Sequence, residues 1–216
     1  MKTDFDIVVI GGGAAGMAAA LAAWKKGVSV ALLETEPYLG GVLPQCIHAG
    51  FGLHTFSEEL TGPEYAGRYA ESMQESGVTV FCETFVTSLA SDRTIHALSA
   101  EHGEFTLRPK AVILACGCRE RPAGALPLPG QRPAGVMTAG TAQRFINLEG
   151  YMVGRKVIIL GSGDIGLIMA RRLTLEGAKV IAVCERMPYP GGLSRNVVQC
   201  LEDYDIPLRL STTVVA

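Results

Sequence analysis

Residues 6–41 read DIVVIGGGAAGMAAALAAWKKGVSVALLETEPYLGG, and residues 156–192 read KVIILGSGDIGLIMARRLTLEGAKVIAVCERMPYPGG. At an offset of 150, Gly11, Gly13, Gly16, Gly27 and Val30 match Gly161, Gly163, Gly166, Gly177 and Val180. One residue is then inserted, after which Glu34, Pro37, Tyr38, Gly40 and Gly41 match Glu185, Pro188, Tyr189, Gly191 and Gly192. A lone GxGxxG is a weak signal, because glycine-rich turns are common. Each copy here has the whole context: a β-branched run, three glycines, an apolar helix, a glycine stop, a second apolar strand and an acid. From first glycine to acid the spacing is 23 residues in one copy and 24 in the other.

That pattern is a dinucleotide-binding βαβ unit, present twice. Gly11 and Gly161 permit the sharp strand-to-helix turn, and Gly13 and Gly163 remove the Cβ that would strike a pyrophosphate. Gly16 and Gly166 let the helix pack on the strand. Ala14, Ala15, Asp164 and Ile165 lie between those glycines, where free N–H groups and the positive end of the helix dipole meet phosphates. Glu34 and Glu185, at the ends of their second strands, are placed to accept hydrogen bonds from an adenosine ribose.

Composition agrees with an α/β chain. Of 216 residues, 48% are apolar, 26 are Gly and only 6% are aromatic, which favours tight βα turns around a sizeable core. The formal net charge is −2 and no Lys/Arg run occurs, so nucleic acid is not an expected partner. Residues 7–23 carry no charge, but Asp4 and Asp6 outweigh Lys2 before them, the wrong sign for a signal peptide. The run is also short for a bilayer span and holds four glycines, so a strand, a turn and a helix are expected, with no membrane span. The six cysteines (Cys46, Cys82, Cys116, Cys118, Cys184, Cys200) form no CxxC and suit reduced thiols in a cytoplasmic protein.

Between the two units, residues 42–62 read as a long loop with three glycines. A helix is expected from Gly62 or Pro63 to 76, stopped by Gly77, with Tyr65, Tyr69 and Met73 on one face. Residues 78–115 then read as successive short strands, VTVFC, TFVTSLAS, TIHALSA, EFTLRP and AVILA. The continuous apolar AVILA predicts a strand buried on both faces. Residues 116–135, with four Pro and four Gly, read as a domain crossing. The expected domains are 1–117, a crossover over 118–150, and 151–216.

Two dinucleotide units separated by a β-meander, in this order, resemble the FAD/NAD(P)-dependent pyridine nucleotide-disulfide oxidoreductases. AVILACGCRERP is similar to that superfamily's strand-plus-ATG motif, with Cys116 at the usual Thr position. The resemblance implies a three-layer FAD domain followed by an NAD(P) domain. It also implies FAD on the first unit, with Gly41, Val42, Val86, Cys116 and Gly117 around its ADP half, and NAD(P)H on the second. LGGVLPQCIHAGFG and TAGTAQRFINLEGYMVGRKVIILGSGDIGLIMARRL resemble a narrower group. That group includes opine oxidase, sarcosine oxidase and hydrogen cyanide synthase subunits, and flavoproteins that accompany anaerobic glycerol-3-phosphate dehydrogenase.

The superfamily's disulfide reductases place CxxxxC after the first GG, but five residues beyond Cys46 stands Phe51. Its thioredoxin reductases carry CxxC before the second glycine motif, where residues 139–154 hold no cysteine. A dithiol relay needs an attacking and a resolving thiol, so none is expected. Cys46 and His48 keep two readings, a flavin-proximal thiol with a proton donor, or loop packing. No histidine pair among His48, His54, His96 and His102 has metal-ligand spacing, so no metal is expected and the catalytic residues are unassigned. Hydride transfer needs no protein nucleophile, because the cofactors carry the electrons.

The family fold continues beyond LRLSTTVVA, so the chain is expected to be an N-terminal fragment with an incomplete NAD(P) domain. As such it is expected to bind FAD poorly, and the full-length form is expected to be an oligomer or hetero-complex. The expected activity is hydride transfer between NADH and FAD within a larger dehydrogenase system, with an unidentified electron donor or acceptor. An opine-type dehydrogenase subunit with a structural nucleotide and a non-catalytic binding module are the alternatives. NADH is preferred because Glu185 repels a 2′-phosphate, although Arg186 beside it softens the preference. Thiol titration of the unfolded protein should give one count before and after reduction. A gain of two thiols mapped to any pair here would contradict the absence of a redox disulfide.

Overall fold

In the computed structural model, which describes residues 3–126, 128–131 and 133–215, the chain divides into two units, Met1–Cys118 and Arg119–Ala216. The first opens with β1 (Ile7–Ile10), α1 (Ala14–Trp24) and β2 (Val30–Leu33), the strand, turn and helix expected of the uncharged run. A short excursion follows, β3 (Ala49–Phe51), α2 (Leu53–Phe56) and β4 (Leu60–Thr61), before α3 (Gly62–Gln74) and β5 (Thr79–Phe81). Then come β6 (Thr84–Leu89), β7 (Ile95–Ser99), β8 (Gly103–Leu107) and β9 (Ala111–Leu114).

Strands β5, β2, β1 and β9 form one parallel sheet in that order, and β6, β7 and β8 form an antiparallel meander. Alternation along the central strands divides the core into two. Val9, Val30 and Leu32 pack with Met17, Ala20 and Leu21 of α1 and with Met73 of α3. Val8, Ala31 and Leu33 pack on the opposite face with Phe5, Phe81 and the meander residues Ile95, Ala97, Phe105 and Leu107. The result is three layers, helices on sheet on meander, as expected. Strand VTVFC, however, leaves the meander and joins the parallel sheet as β5.

Two expectations need correction. The 42–62 stretch is not a plain loop, since it holds a 3-10 turn at Leu43–Gln45 and the β3–β4 pair around α2. Its order comes from outside itself: Phe51 packs tilted on Tyr65, and Phe56 packs edge-on against Tyr65 and Tyr69, at ring separations of 5.4–6.3 Å. Elements of two to four residues are too short to show periodicity. Strand β9 is likewise not buried on both faces, with Ala111 exposed and Leu114 64% exposed. Among the described residues it lies at the sheet edge, paired only with β1, so its apolar run marks it as a strand without giving its place.

The second unit contains α4 (Ala139–Asn147), β10 (Lys156–Leu160), α5 (Asp164–Leu175), β11 (Lys179–Cys184), α6 (Ser194–Cys200) and β12 (Leu208–Arg209). Its three strands are parallel in the order β10, β11, β12. The core joins Ala142 and Ile146 of α4 to Leu167, Met169, Ala170 and Leu173 of α5, with Val180 and Val183 of β11 and Cys200 of α6. The Pro- and Gly-rich 116–135 stretch shows one 3-10 turn at Ala123–Ala125; Pro127 and Arg132 within it lie outside the described residues. Among the described residues no helix is long and apolar enough to cross a membrane.

Helix α3 starts on a capping box beyond the Pro63 signal. The Thr61 hydroxyl accepts from the Glu64 amide, and the Glu64 carboxylate accepts from the Thr61 amide at 2.8 Å and hydroxyl at 2.7 Å. These bonds hold the Glu64 carboxyl below its ordinary range, the backbone N–H of Thr61 contributing most. Thr61→Ala should lower stability by about 1 kcal/mol in chemical denaturation. Because the folded pKa of Glu64 is depressed, its contribution is complete above the ordinary carboxylate pKa. It disappears as pH falls through the lowered one. The stability deficit of Thr61→Ala relative to wild type should therefore shrink in acid.

Candidate functional site

Strand β1 leads into a turn at Gly11 with φ +106°, and β10 leads into one at Gly161 with φ +102°, a backbone conformation that L side chains rarely adopt. A Cβ on Gly16 would stand 1.8 Å from the Gly11 carbonyl oxygen, and one on Gly166 would stand 2.7 Å from that of Gly161. The third glycine therefore protects first the turn's own carbonyl, and only then the expected helix packing, where Ala115 and Ile159 side-chain atoms lie 3.4 Å off. Gly13 and Gly163 differ. A Cβ on Gly13 would find only Gly41 Cα at 3.9 Å, and one on Gly163 nothing within 4 Å. The fold does not need glycine there for space, and each of these glycines is the N-cap of its helix, with no side-chain cap, where the first amides lack intrahelical partners. This cradle fits a diphosphate.

The acids turn back onto these loops. Glu34, 6% exposed, accepts from the Gly12 amide at 2.6 Å, the Thr35 hydroxyl at 3.0 Å and the Glu36 amide at 2.9 Å. Glu185 accepts from the Ser162 amide at 3.0 Å, the Ser162 hydroxyl at 2.7 Å and the Met187 amide at 2.8 Å. Those bonds, the Met187 amide first, hold the Glu185 carboxyl below its usual range. In both units the acid thus clamps the residue that follows the first glycine.

The extra residue of the second copy has a structural address. Strand β1 pairs with β2 at a constant register, Ile7 with Val30 through Ile10 with Leu33. Strand β10 pairs Val157 with Val180 but Ile158 with Ala182, skipping Ile181 in a bulge. The bulge absorbs the insertion and delivers Glu185 to the place that Glu34 holds. The likeness then runs on beyond the legible repeat. Glu34 N donates to Phe81 O and Thr84 N to Glu34 O, while Glu185 N donates to Arg209 O and Thr212 N to Glu185 O, all at 2.8 Å. Just before those threonines, Glu83 and Ser211 adopt φ of 48° and 50°.

Around the first turn, Gly40 N donates to Gly12 O at 2.9 Å, which brings Gly41 beside Gly13, while Val42 is 57% exposed. On the other side Ala115 and Cys116 close on Gly11, the Cys116 thiol lies 3.6 Å from Ile10 O, and Gly117 has φ +65°. These groups meet at the carboxyl ends of β1, β2 and β9, where the strand order reverses and α/β sheets bind ligands. Val86 stands apart on β6, packed against the core of the meander side. Ala15 and Ile165 are exposed on the first helical turns. Ser162, fully buried, was missed by the sequence: its hydroxyl donates to Glu185 and accepts from Gly191 N at 2.8 Å, where the first copy has only Gly12. Asp164 also does more than expected, since its Oδ1 accepts from Leu193 N and Asn196 Nδ2, each at 2.8 Å.

Cys46 follows the 3-10 turn, 7% exposed and packed against the start of α3, and burial pushes its thiol pKa up. That geometry favours packing over a reactive thiolate. The His48 ring lies 5.4 Å from that of Phe51. All six cysteines are free, Cys116 and Cys118 exposed. Among the described residues no group of three His, Cys, Asp or Glu could hold a metal ion.

A family model described as pyridine nucleotide-disulphide oxidoreductase matches residues 5–216. An opine oxidase subunit of Agrobacterium tumefaciens (strain Ach5) is 30% identical over 208 residues, 91% of this chain and 40% of that protein. A hydrogen cyanide synthase subunit of Pseudomonas protegens is 29% identical over 183 residues, 82% of this chain and 38% of its own length. The chain thus spans about two fifths of these curated relatives. Among solved structures, thioredoxin reductase of T. acidophilum superposes with a TM-score of 0.72 at 24% identity, covering 97% of this chain and 64% of its own.

The glycine geometry separates folding from binding. Gly16→Ala should prevent stable folding, since its Cβ would stand 1.8 Å from a carbonyl oxygen. Gly13→Ala and Gly163→Ala should melt within a few degrees of wild type yet each weaken ADP binding at its own turn at least about tenfold, a difference of about 1.4 kcal/mol. Calorimetry and equilibrium titration would check both halves.

Proposed function

The chain belongs to the pyridine nucleotide-disulphide oxidoreductase family, and from that premise we propose that it holds FAD on the first glycine turn and NADH on the second. It passes a hydride between them as one component of a larger dehydrogenase system. The observation that carries this reading is the duplicate construction itself: two turns, each with an open glycine position, a helix mouth and a clamped acid. When bound, the flavin and the nicotinamide supply the redox chemistry. The chain's part is to bind and orient. Gly13 leaves room for one diphosphate and Gly163 for the other, and the amides of Ala14, Ala15, Asp164 and Ile165 offer hydrogen bonds there.

Family membership supports a dinucleotide-dependent oxidoreductase. The choice of FAD and NADH rests on the resemblance and on Glu185. With its carboxyl held ionised by the Met187 amide and by Ser162, Glu185 accepts from a ribose hydroxyl and opposes a 2′-phosphate. Arg186, exposed beside it, offsets that charge only weakly. The matched relatives named as subunits, of opine oxidase and of hydrogen cyanide synthase, support a partner protein. They also favour a second reading, in which an amine is the electron source and one nucleotide is structural.

Anaerobic mixing of the FAD-loaded protein with reduced nicotinamides tests the proposal. NADH should bleach the flavin absorbance faster than NADPH, and equal rates would refute the preference. Glu185→Gln, which removes the charge and keeps one of the two acceptor oxygens of the clamp, should narrow the ratio by about tenfold, or about 1.4 kcal/mol. Bleaching by an amine, with none by NADH, would favour the second reading.

A further inference from the structure

The two turns are alike in backbone but unlike in charge. The first turn of α1 has no acidic residue, whereas α5 begins with Asp164 where α1 begins with Ala14. The Asp164 carboxylate is held in place, half-buried, with Oδ1 accepting from Leu193 N and from Asn196 Nδ2 at 2.8 Å each. Gly192 packs against it so closely that an added Cβ would lie 2.8 Å from the same oxygen. A second side chain, Ser162, reaches the same segment through Gly191 N at 2.8 Å. In the first unit the corresponding segment meets its turn through main-chain contacts, Gly40 N to Gly12 O and the Gly13–Gly40 bridge.

The second turn therefore carries a fixed negative charge on the first residue of the helix whose amides face the cradle, and the first carries none. Such a charge favours the helix itself through the dipole. It also opposes a dianionic diphosphate in the cradle, by a Coulomb energy that salt screens.

We propose that Asp164 sets the affinity of the second nucleotide site: its carboxylate opposes the diphosphate of the nicotinamide dinucleotide and keeps that nucleotide exchangeable. The first turn, with Ala14 at the same position, lacks this opposition. The inference rests on the reading that the second turn takes NADH, and it adds a residue that weakens binding there to those that provide it.

Asp164→Asn isolates the charge, because the amide oxygen still accepts from Leu193 and Asn196. Titration with NADH, followed by nicotinamide fluorescence, should show binding about three- to tenfold tighter than wild type at low ionic strength. The gap should close in about 1 M salt, where the Debye length falls to about 3 Å. Asn196→Ala, which cuts one tether and keeps the charge, should not tighten binding. Unchanged or weaker NADH binding by Asp164→Asn, in a protein that melts like wild type, would overturn the proposal. Tightening by Asn196→Ala equal to that by Asp164→Asn would overturn it as well, by showing that the loop and not the charge sets affinity. In either case NADH still binds and the parent reading stands. Failure of wild type and both variants to bind NADH at all would refute that reading, and this inference with it.

Discussion

A carboxylate at the end of the second strand, bonded to the amide just after the first glycine, is the interaction on which each unit depends. Glu34 is 6% exposed and lies 2.6 Å from Gly12 N. A buried carboxylate is costly unless it is hydrogen-bonded, and the turn supplies that bond only in the conformation that Gly11 alone tolerates, with φ +106°. The acid, the glycine and the adjacent strand ends are thus mutually conditional. An open cradle at the helix mouth follows from the same geometry, because the turn that satisfies the acid also leaves the first amides of α1 unpaired.

The second unit reaches this arrangement by a different sequence. Its extra residue is taken up by the bulge at Ile181, so that Glu185 arrives in place one residue late. Its clamp is doubled by the Ser162 hydroxyl, which has no counterpart in Gly12, where an added Cβ would stand 2.8 Å from Glu34 Oε2. Side chains of Ser162 and Asp164 tie down the 191–196 segment, and in the first unit a main-chain bond from Gly40 to Gly12 joins the equivalent segment to its turn. One backbone solution is therefore built twice with different side-chain chemistry.

Most of the fold was legible in the sequence because its elements are long enough to carry a period or are marked by glycine. The strand–turn–helix units and α3 fall where the pattern places them, the meander does so apart from VTVFC, and the paired glycines point to the family. The 42–62 excursion escaped because its elements are two to four residues long and its order comes from Tyr65 and Tyr69 on another element. The edge position of β9 escaped because an apolar run reports strand character and not the number of neighbours. At the candidate sites, the glycines and acids were legible from spacing. Ser162 was not, since a single hydroxyl at a variable position carries no signal until its partners are known. The extension of the repeat to Thr84 and Thr212 was hidden by helices of different length, thirteen residues in α3 and seven in α6, which shift the alignment between the copies.

The central claim is that both glycine turns form a nucleotide cradle, and the number of ADP molecules bound per chain tests it most directly. ADP carries the diphosphate and ribose that the cradle and the acid would recognise, and no redox-active part. Isothermal titration should give two ADP molecules per chain, of unequal affinity. A stoichiometry of one, or no binding, would contradict the account.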